Sequence, residues 1–142
     1  MRASVVCGLA MVLGLASVPA FAHHSFAAEY DNKKPVTLTG SVTKVEWMNP
    51  HARFYLDVKD ESGKVENWEF ELGSPNGLMR QGWTRSSLKE GDVVTVSGSL
   101  AKDGSKLANA RTVTLSDGRK VFAGSAEETG RAPEGAPTKG GQ

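Results

Sequence analysis

The sequence predicts an all-β fold, a small five- to six-stranded OB-like barrel with one short helix between the third and fourth strands. Two observations predict it. Apolar and polar residues alternate with a period of two from Val36 onward, and turn residues separate these short runs. One helical stretch interrupts the pattern after the third run, which is the order expected of an OB-type barrel. A small β-sandwich is the alternative for the same pattern.

The first strand begins at Val36, and its alternation slips in phase near Thr43 and Lys44, where a β-bulge is expected. A turn at Asn49–Pro50 leads to the second strand, and a hairpin turn at Asp60–Gly63 leads to the third. These three strands therefore form a predicted meander.

The second and third strands each have one apolar face and one polar face, as half-buried strands do. The inward side chains are expected to be Phe54, Leu56, Val58, Trp68, Phe70 and Leu72. The outward side chains are expected to be Arg53, Tyr55, Asp57, Asn67, Glu69 and Glu71. Glu69 and Glu71 lie about 7 Å apart along one strand, a spacing that acid and base partners can use, but outward glutamates are expected to be solvated.

Ser74 is a candidate N-cap before Pro75, and Gly82 is a stop signal, so the helix is predicted over Pro75–Gln81. Trp83, directly after it, is expected to cap the core, with exposure in a ligand groove together with Tyr55 as the alternative. The remaining predicted strands are Val93–Gly98, Leu107–Leu115 and a last short strand that ends at Phe122. The predicted barrel domain spans residues 36–124.

Residues 1–22 have the parts of a cleavable signal peptide, with Arg2 at the start, an apolar run over 5–16 and small residues before Ala22. The run is too short to remain as a membrane anchor, so the protein is expected to be periplasmic or secreted. Cleavage after Ala22 is preferred to cleavage after Ala20. Residues 23–35 are expected to form an N-terminal arm with a polar loop over Glu29–Pro35, and residues 125–142 a disordered tail.

The composition excludes several classes of function. Cys7 is the only cysteine and lies in the leader, so the mature chain is expected to lack disulfides, cysteine nucleophiles and thiolate metal sites. The chain has 17 Lys and Arg against 16 Asp and Glu, and loss of Arg2 leaves 16 of each. Because this net charge is zero, neither nucleic acid nor an anionic membrane is an expected partner.

The three histidines are His23, His24 and His51. An imidazole beside a free α-amino group suits Cu(II). Cleavage after Ala22 makes His23 the first residue, so its amine and imidazole can chelate one ion together with His24 or His51. Cleavage after Ala20 puts His23 third, where an amine, two amides and an imidazole can surround Cu(II) in a plane. The alternative is a solvated terminus that binds no physiological metal.

His51 also has two interpretations. In the structural one, it belongs to the turn between the first two strands, with Trp47 packed on the barrel edge. In the functional one, Trp47, Met48 and His51 place an aromatic face, a thioether and an imidazole close together, a combination suited to Cu(I). Trp47, Met48 and Tyr55 are also the candidate ligand face of the barrel. No catalytic residue is assigned, and an enzyme is not favoured.

Several short motifs are similar to those of one protein family. They are His23–Asp31, Asn49–His51, Trp68, Gly82–Trp83, Gly91–Asp92 and Asp117–Arg119. With them the sequence resembles, over roughly residues 22–123, the small exported bacterial proteins grouped as domain of unknown function 6152. The resemblance implies an exported, periplasmic, single-domain protein whose recurrent elements include the three histidines. It implies no established activity.

The group of Trp47, Met48 and His51 is also loosely similar to periplasmic copper-efflux chaperones with small OB barrels, which bind Cu(I) through His, Met and Trp. Those proteins take two methionines from a neighbouring strand, whereas the second strand here has none. Cu(II) held by nitrogen ligands is therefore the expected ion.

The leading hypothesis is a periplasmic, non-enzymatic metal-binding module, with copper held by His23, His24 and His51. A second hypothesis is an OB-type module that binds an envelope protein or a small polar ligand through its open strand face and needs no metal. A third is a copper oxidase with an N-terminal histidine brace. Only the metal hypotheses depend on the cleavage site, because removal of the leader creates the α-amino group beside His23.

Overall fold

The computed structural model describes residues 26–124 of the chain. Its elements are, in order, α1 (Phe26–Glu29), β1 (Tyr30–Glu46), β2 (Arg53–Lys59), β3 (Val65–Glu71), α2 (Pro75–Arg80), β4 (Val93–Ala101), β5 (Leu107–Thr114) and β6 (Lys120–Phe122). The strands form one sheet in the order β3-β2-β1-β4-β5-β6, and a parallel pairing of β3 with β5 closes it into a barrel. This closed ring, with α2 between β3 and β4, confirms the predicted OB-type all-β fold.

β1 links the two halves of the barrel. It is 17 residues long and pairs with β4 along Tyr30–Ser41 and with β2 along Ser41–Glu46. The pairing with β2 skips one residue between Val42 and Lys44, so the bulge predicted near Thr43 and Lys44 is confirmed. The extra residue lets one continuous strand turn from one partner to the other.

Two glycines let neighbouring strands approach closely. A Cβ atom on Gly40 would lie 2.4 Å from the carbonyl oxygen of Asp57, and one on Gly98 would lie 2.0 Å from the carbonyl oxygen of Asn109. Both distances are far below van der Waals contact, so a side chain at either position would push the strands apart. Glycine is therefore required where the strands of this ring cross closely.

The apolar faces of the strands fill the inside of the barrel. Phe54, Leu56, Phe70 and Leu72 are at most 1% exposed, as the alternation predicts, and the rings of Phe54 and Phe70 stack with their centroids 5.3 Å apart. Trp68 is only partly buried and packs against this core. The inward face of β2 and β3 is thus the one that the sequence indicates.

The helix α2 lies where the sequence predicts it. The Ser74 side chain accepts a hydrogen bond from the Gly77 backbone nitrogen at 3.2 Å, and Pro75 occupies the first turn. The helix ends at Arg80, and Gly82 follows with a φ of 92°. This left-handed conformation favours glycine and turns the chain away from the helix axis.

The end of α2 joins the core through two side chains. Leu78 is fully buried, and Trp83 is 3% exposed. The Nε1 atom of Trp83 donates a hydrogen bond to the Phe122 carbonyl oxygen at 2.7 Å, so the indole is buried with its polar atom satisfied. The expected role of Trp83 in covering the core is confirmed.

The N-terminal boundary of the barrel differs from the prediction. Glu29–Pro35 was expected to be a loop within an arm over 23–35, but β1 begins at Tyr30, which pairs with Ala101 of β4. A register shift between Asp31 and Pro35 interrupts the alternation, which is why the sequence pattern hides this part of the strand. The side chain of Tyr30 is 2% exposed, and its burial favours the longer strand.

Several sequence predictions lie outside the described residues. They are the signal peptide over 1–22, the candidate ligands His23 and His24, and the tail over 125–142. Within residues 26–124, no helix is long and apolar enough to cross a membrane.

Candidate functional site

His51 lies between β1 and β2, two residues before β2 begins at Arg53. Its Nδ1 atom is 3.1 Å from the carbonyl oxygen of Leu72. Since a carbonyl oxygen only accepts, Nδ1 carries the hydrogen and donates it. In the neutral ring the other nitrogen, Nε2, is then unprotonated, and its lone pair is the one available to a metal ion.

The backbone explains this orientation of the ring. The Ala52 nitrogen donates to the Gly73 carbonyl oxygen at 3.1 Å, and the Leu72 nitrogen donates to the Ala52 carbonyl oxygen at 2.8 Å. These bonds continue the β2–β3 ladder beyond the last regular pair and bring the Leu72 carbonyl beside His51. The orientation of the imidazole is therefore set by a hydrogen bond to a backbone carbonyl oxygen and not by one to another side chain.

His51 is the one predicted metal ligand within the described part of the chain, because His23 and His24 lie before it. Among residues 26–124, no three His, Cys, Asp or Glu side chains are grouped so that they could hold a metal ion. The three-histidine site thus stays a prediction, and the structure describes one of its three members.

The candidate ligand face of Trp47, Met48 and Tyr55 has unequal exposure. Trp47 is partly buried against the core, whereas the side chain of Met48 is 52% exposed. Tyr55 donates its hydroxyl to Glu46 at 3.2 Å, and the ammonium of Lys44 lies 5.4 Å from its ring centroid. Burial, together with neighbouring carboxylates, raises the pKa of Tyr55. Tyr55 is therefore held by its neighbours on β1.

A second group of charged residues lies on the outer face of β2 and β3. Glu71 was expected to be solvated, but it is only 7% exposed, so that expectation is wrong. Arg53 is the cross-strand partner of Glu71 and forms ion pairs with both Glu69 and Glu71, with Nη2 3.2 Å from Glu71 Oε2. One guanidinium group thus lies between two carboxylates.

Tyr30 lies beside Glu71, and α1 packs on Tyr30. Phe26 of α1 stacks on Tyr30 with ring centroids 5.5 Å apart. The Lys102 nitrogen donates to the Glu29 carbonyl oxygen at 2.9 Å, which ties the end of α1 to the end of β4. Burial, followed by the negative charges of Glu71 and Glu29, raises the pKa of Tyr30 well above its usual value of 10.0. Tyr30 is therefore a neutral phenol at ordinary pH.

The strand register gathers the buried polar residues in one row. Glu71 pairs with Asn109 of β5, and Asn109 pairs with Ser99 of β4. These residues are 7%, 5% and 4% exposed, respectively. Among residues 26–124, the buried atom Asn109 Oδ1 has no hydrogen-bond partner. The buried hydroxyl of Tyr30 has none at standard geometry, although it lies close enough to the Glu71 carboxylate for that group to raise its pKa. Such atoms are rare in folded proteins, so this row differs from the rest of the barrel.

A cleft of about 340 Å³ opens beside this row. Its lining includes Glu29, Tyr30, Arg53, Glu71, Lys102 and Asp103. The volume lies at the lower end of the range of small-molecule sites, about 300–1,000 Å³. Sequence reasoning missed this site, and the one signal that could have indicated it is Tyr30, an aromatic residue at the start of a polar segment.

Solved structures similar to this chain include two single-domain proteins. The mitochondrial single-stranded DNA binding protein Rim1 from S. cerevisiae is 8% identical, with a TM-score of 0.46 over 58% of this chain and 92% of that one. The N-terminal domain of PriB from Thermoanaerobacter tencongensis is 19% identical, with a TM-score of 0.39 over 58% of this chain and 96% of that one.

Comparison with curated protein sequences gives no match. A protein-family model, in contrast, matches residues 11–110, which is more than half of the chain. The matched family is the one that the sequence resembles. The chain belongs to the family of unknown function DUF6152.

Proposed function

We propose that this protein is a periplasmic, non-enzymatic metal-binding module in which His23, His24 and His51 hold a copper ion. The proposal includes export and removal of residues 1–22, which would free the α-amino group of His23. The observation that carries it is the 3.1 Å hydrogen bond from His51 Nδ1 to the Leu72 carbonyl oxygen. Metal-ligating histidines commonly donate their second ring nitrogen in this way, which fixes the tautomer and the direction of the ring.

The attachment of α1 supports a role for the terminal histidines. His23 precedes Phe26 by three residues, a stretch that spans at most about 11 Å. Phe26 stacks on Tyr30, which lies close enough to Glu71 for that carboxylate to raise its pKa. Glu71 directly precedes the residue whose carbonyl oxygen holds His51. The start of the described chain is thus connected to His51 through few intervening contacts.

The donor types favour Cu(II) over Cu(I). Imidazoles and an α-amino group are nitrogen donors, which suit the tetragonal geometry of Cu(II). A Cu(I) site needs soft sulfur ligands, and near His51 the sequence offers one thioether, that of the half-exposed Met48. The single cysteine, Cys7, would be lost with the leader.

The test is a Cu(II) titration of protein that retains its processed N-terminus, compared with protein that carries one extra N-terminal residue. We expect the processed protein to bind Cu(II) more tightly than an unstructured His-His peptide, and the extra residue to weaken binding by at least about tenfold. Electron paramagnetic resonance would count the nitrogen ligands. Mass spectrometry of the first residue establishes which terminus is present.

Two variants separate ligation by His51 from a structural role. In His51→Asn the amide can still donate to the Leu72 carbonyl oxygen, but Nε2 is absent, so the melting temperature should hold while Cu(II) affinity falls. Met48→Leu removes the thioether and should leave Cu(II) affinity unchanged. The proposal is wrong if the processed protein binds no tighter than the peptide and His51→Asn binds equally well. Oxygen-dependent turnover with a reductant would instead support the histidine-brace oxidase.

A further inference from the structure

The helix α1 has only four residues, so it is not stable by itself. A single helical turn fixes the backbone angles of several residues for about one hydrogen bond, which is unfavourable in water. The carbonyl groups at the end of a helix also lack partners within the helix. The conformation of α1 therefore depends on contacts with the barrel.

Lys102 supplies two of these contacts. Its backbone nitrogen donates a hydrogen bond to the Glu29 carbonyl oxygen at 2.9 Å, and its ammonium group donates one to the Ala27 carbonyl oxygen at 2.5 Å. Lys102 directly follows Ala101, the last residue of β4, which pairs with Tyr30 of β1. One residue at the end of a paired strand thus binds two carbonyl groups of α1.

The ring of Phe26 supplies a third contact. It stacks on Tyr30 with ring centroids 5.5 Å apart and ring planes inclined at 29°. Tyr30 is 2% exposed and belongs to β1, so its ring is held in the barrel. The stacking therefore fixes the position of Phe26, where the described part of the chain begins.

We propose that Phe26 and Lys102 are positioning residues for the copper site under "Proposed function", on which this role depends. Three residues separate His23 from Phe26, so an attached α1 leaves the terminus a reach of at most about 11 Å. With α1 released, the terminus would be tethered only at Tyr30, seven residues away. The effective concentration of a tethered ligand falls with about the −3/2 power of tether length, so the terminal ligands would meet His51 about fourfold less often.

The charge of Lys102 makes the sign of the effect informative. Loss of a positive charge near a bound cation raises the affinity for that cation. Lys102→Met should instead lower Cu(II) affinity, because it weakens the attachment of α1. Lys106→Met is the matched control, since Lys106 lies in the same connection between β4 and β5 and its ammonium contacts Glu66 on β3. It removes an equal charge and leaves the contacts of α1 in place.

The first measurement is hydrogen exchange by nuclear magnetic resonance, on metal-free protein with its processed N-terminus. The Lys102 amide is bonded to the Glu29 carbonyl oxygen, so its exchange rate reports whether α1 is attached. Exchange should be faster in Phe26→Ala and fastest when Lys102→Met is added, whereas Phe26→Tyr keeps the ring and should behave like the unchanged protein. Amides of β4 should stay protected throughout, which shows that the barrel is folded. Equal exchange at Lys102 in all variants would overturn the proposal.

The second measurement is a Cu(II) titration of the same proteins against a competing chelator. The double variant of Phe26→Ala and Lys102→Met should bind Cu(II) about fourfold more weakly than the unchanged protein. Each single variant should bind more weakly as well. Phe26→Tyr, Lys102→Arg and Lys106→Met should bind like the unchanged protein, because the first two conserve the ring or the donor and the third does not contact α1.

The outcomes separate this role from the copper site itself. Tight Cu(II) binding by the unchanged protein with equal affinity in the double variant, or a higher affinity in Lys102→Met, would overturn the positioning role and leave the copper site standing. If the unchanged protein binds no tighter than an unstructured His-His peptide, the copper function fails and the positioning role fails with it.

Discussion

The inside of this barrel and its outer face beside Tyr30 are buried to similar degrees by opposite chemistry. Inside, Phe54 and Phe70 are fully buried and stack on each other. Outside, Tyr30 and Glu71 are 2% and 7% exposed, yet each carries a polar group. Apolar burial stabilises the first region directly, whereas the second must match charges and hydrogen bonds before its burial becomes favourable.

The difference indicates what each region is for. The side chains of the core are apolar and need only close packing, without hydrogen-bond partners. The core therefore stabilises the barrel. The outer face retains two buried polar atoms without a hydrogen bond of standard geometry among residues 26–124, Tyr30 Oη and Asn109 Oδ1, a cost that apolar side chains would not carry. Departures of this kind from good packing are typical of functional sites. Variants in the two regions should therefore behave differently.

The largest loss of stability should come from the core. Phe70→Ala removes a fully buried ring and should lower the free energy of unfolding by about 3–5 kcal/mol, because apolar contacts are lost and a cavity remains. Val93→Ala is the control, since Val93 is 57% exposed on β4 and should change stability by less than about 0.5 kcal/mol. Urea denaturation measures both. Similar losses in the two variants would contradict the described core.

An intermediate loss should come from the ion-pair cluster outside the barrel. Arg53→Met leaves Glu71 buried near Glu69 with no cation between them, and should cost about 2 kcal/mol. The estimate is below that for a fully buried pair because the Arg53 side chain is 39% exposed. A double variant with Glu71→Met as well should recover part of the loss.

A double-mutant cycle by urea denaturation measures this coupling. Additive effects of Arg53→Met and Glu71→Met would mean that the ion pair contributes nothing beyond the two separate side chains. Lys64→Met is a suitable control, because its ion pair with Glu66 lies on the exposed hairpin and should contribute little. A large loss of stability for Arg53→Met that Glu71→Met partly restores, together with a small loss for Lys64→Met, would confirm that burial makes the outer ion pairs costly to break.

Period-two alternation was sufficient to predict most of the barrel. The inward positions on β2 and β3, the bulge between Val42 and Lys44, and the helix that begins at Pro75 all follow local rules of side-chain direction, register and capping. These features depend on neighbours in the sequence or on one adjacent strand. They are therefore visible without knowledge of the whole fold.

The outer cluster depends on contacts that sequence spacing does not reveal. The outward direction of Glu71 was predicted correctly, but its burial was not. Its neighbour Tyr30 lies far away in the sequence and is brought into the barrel by the pairing of β1 with β4. The register shift after Asp31 also disguised this segment as a loop. For the proposed copper site, the sequence supplies the three histidines and the structure adds the orientation of His51.

The smallest effect at neutral pH, and the most specific one in alkali, should come from Tyr30. Burial and the nearby negative charges raise the pKa of its phenol in the folded protein above the usual value of 10.0. Between those two pKa values the unfolded chain has lost this proton and the folded chain has kept it. The contribution of this proton to the free energy of unfolding is fully present below about pH 10. It decreases as the pH rises above that value, by at most about 1.4 kcal/mol per pH unit.

Tyr30→Phe should change stability by less than about 0.5 kcal/mol at pH 7, because the hydroxyl that it removes makes no hydrogen bond of standard geometry among residues 26–124. The variant also lacks the Tyr30 proton whose release destabilises the folded protein in alkali. Its free energy of unfolding should therefore exceed that of the unchanged protein by about 1 kcal/mol near pH 11. Lysine titration is common to both proteins and cancels in the difference. Tyr55→Phe, which loses a hydrogen bond to Glu46 on the more exposed side of β2, should show a smaller alkaline gain. If the stability of Tyr30→Phe and that of Tyr55→Phe depend on pH in the same way, the burial of Tyr30 does not raise its pKa more than that of Tyr55, and the prediction is wrong.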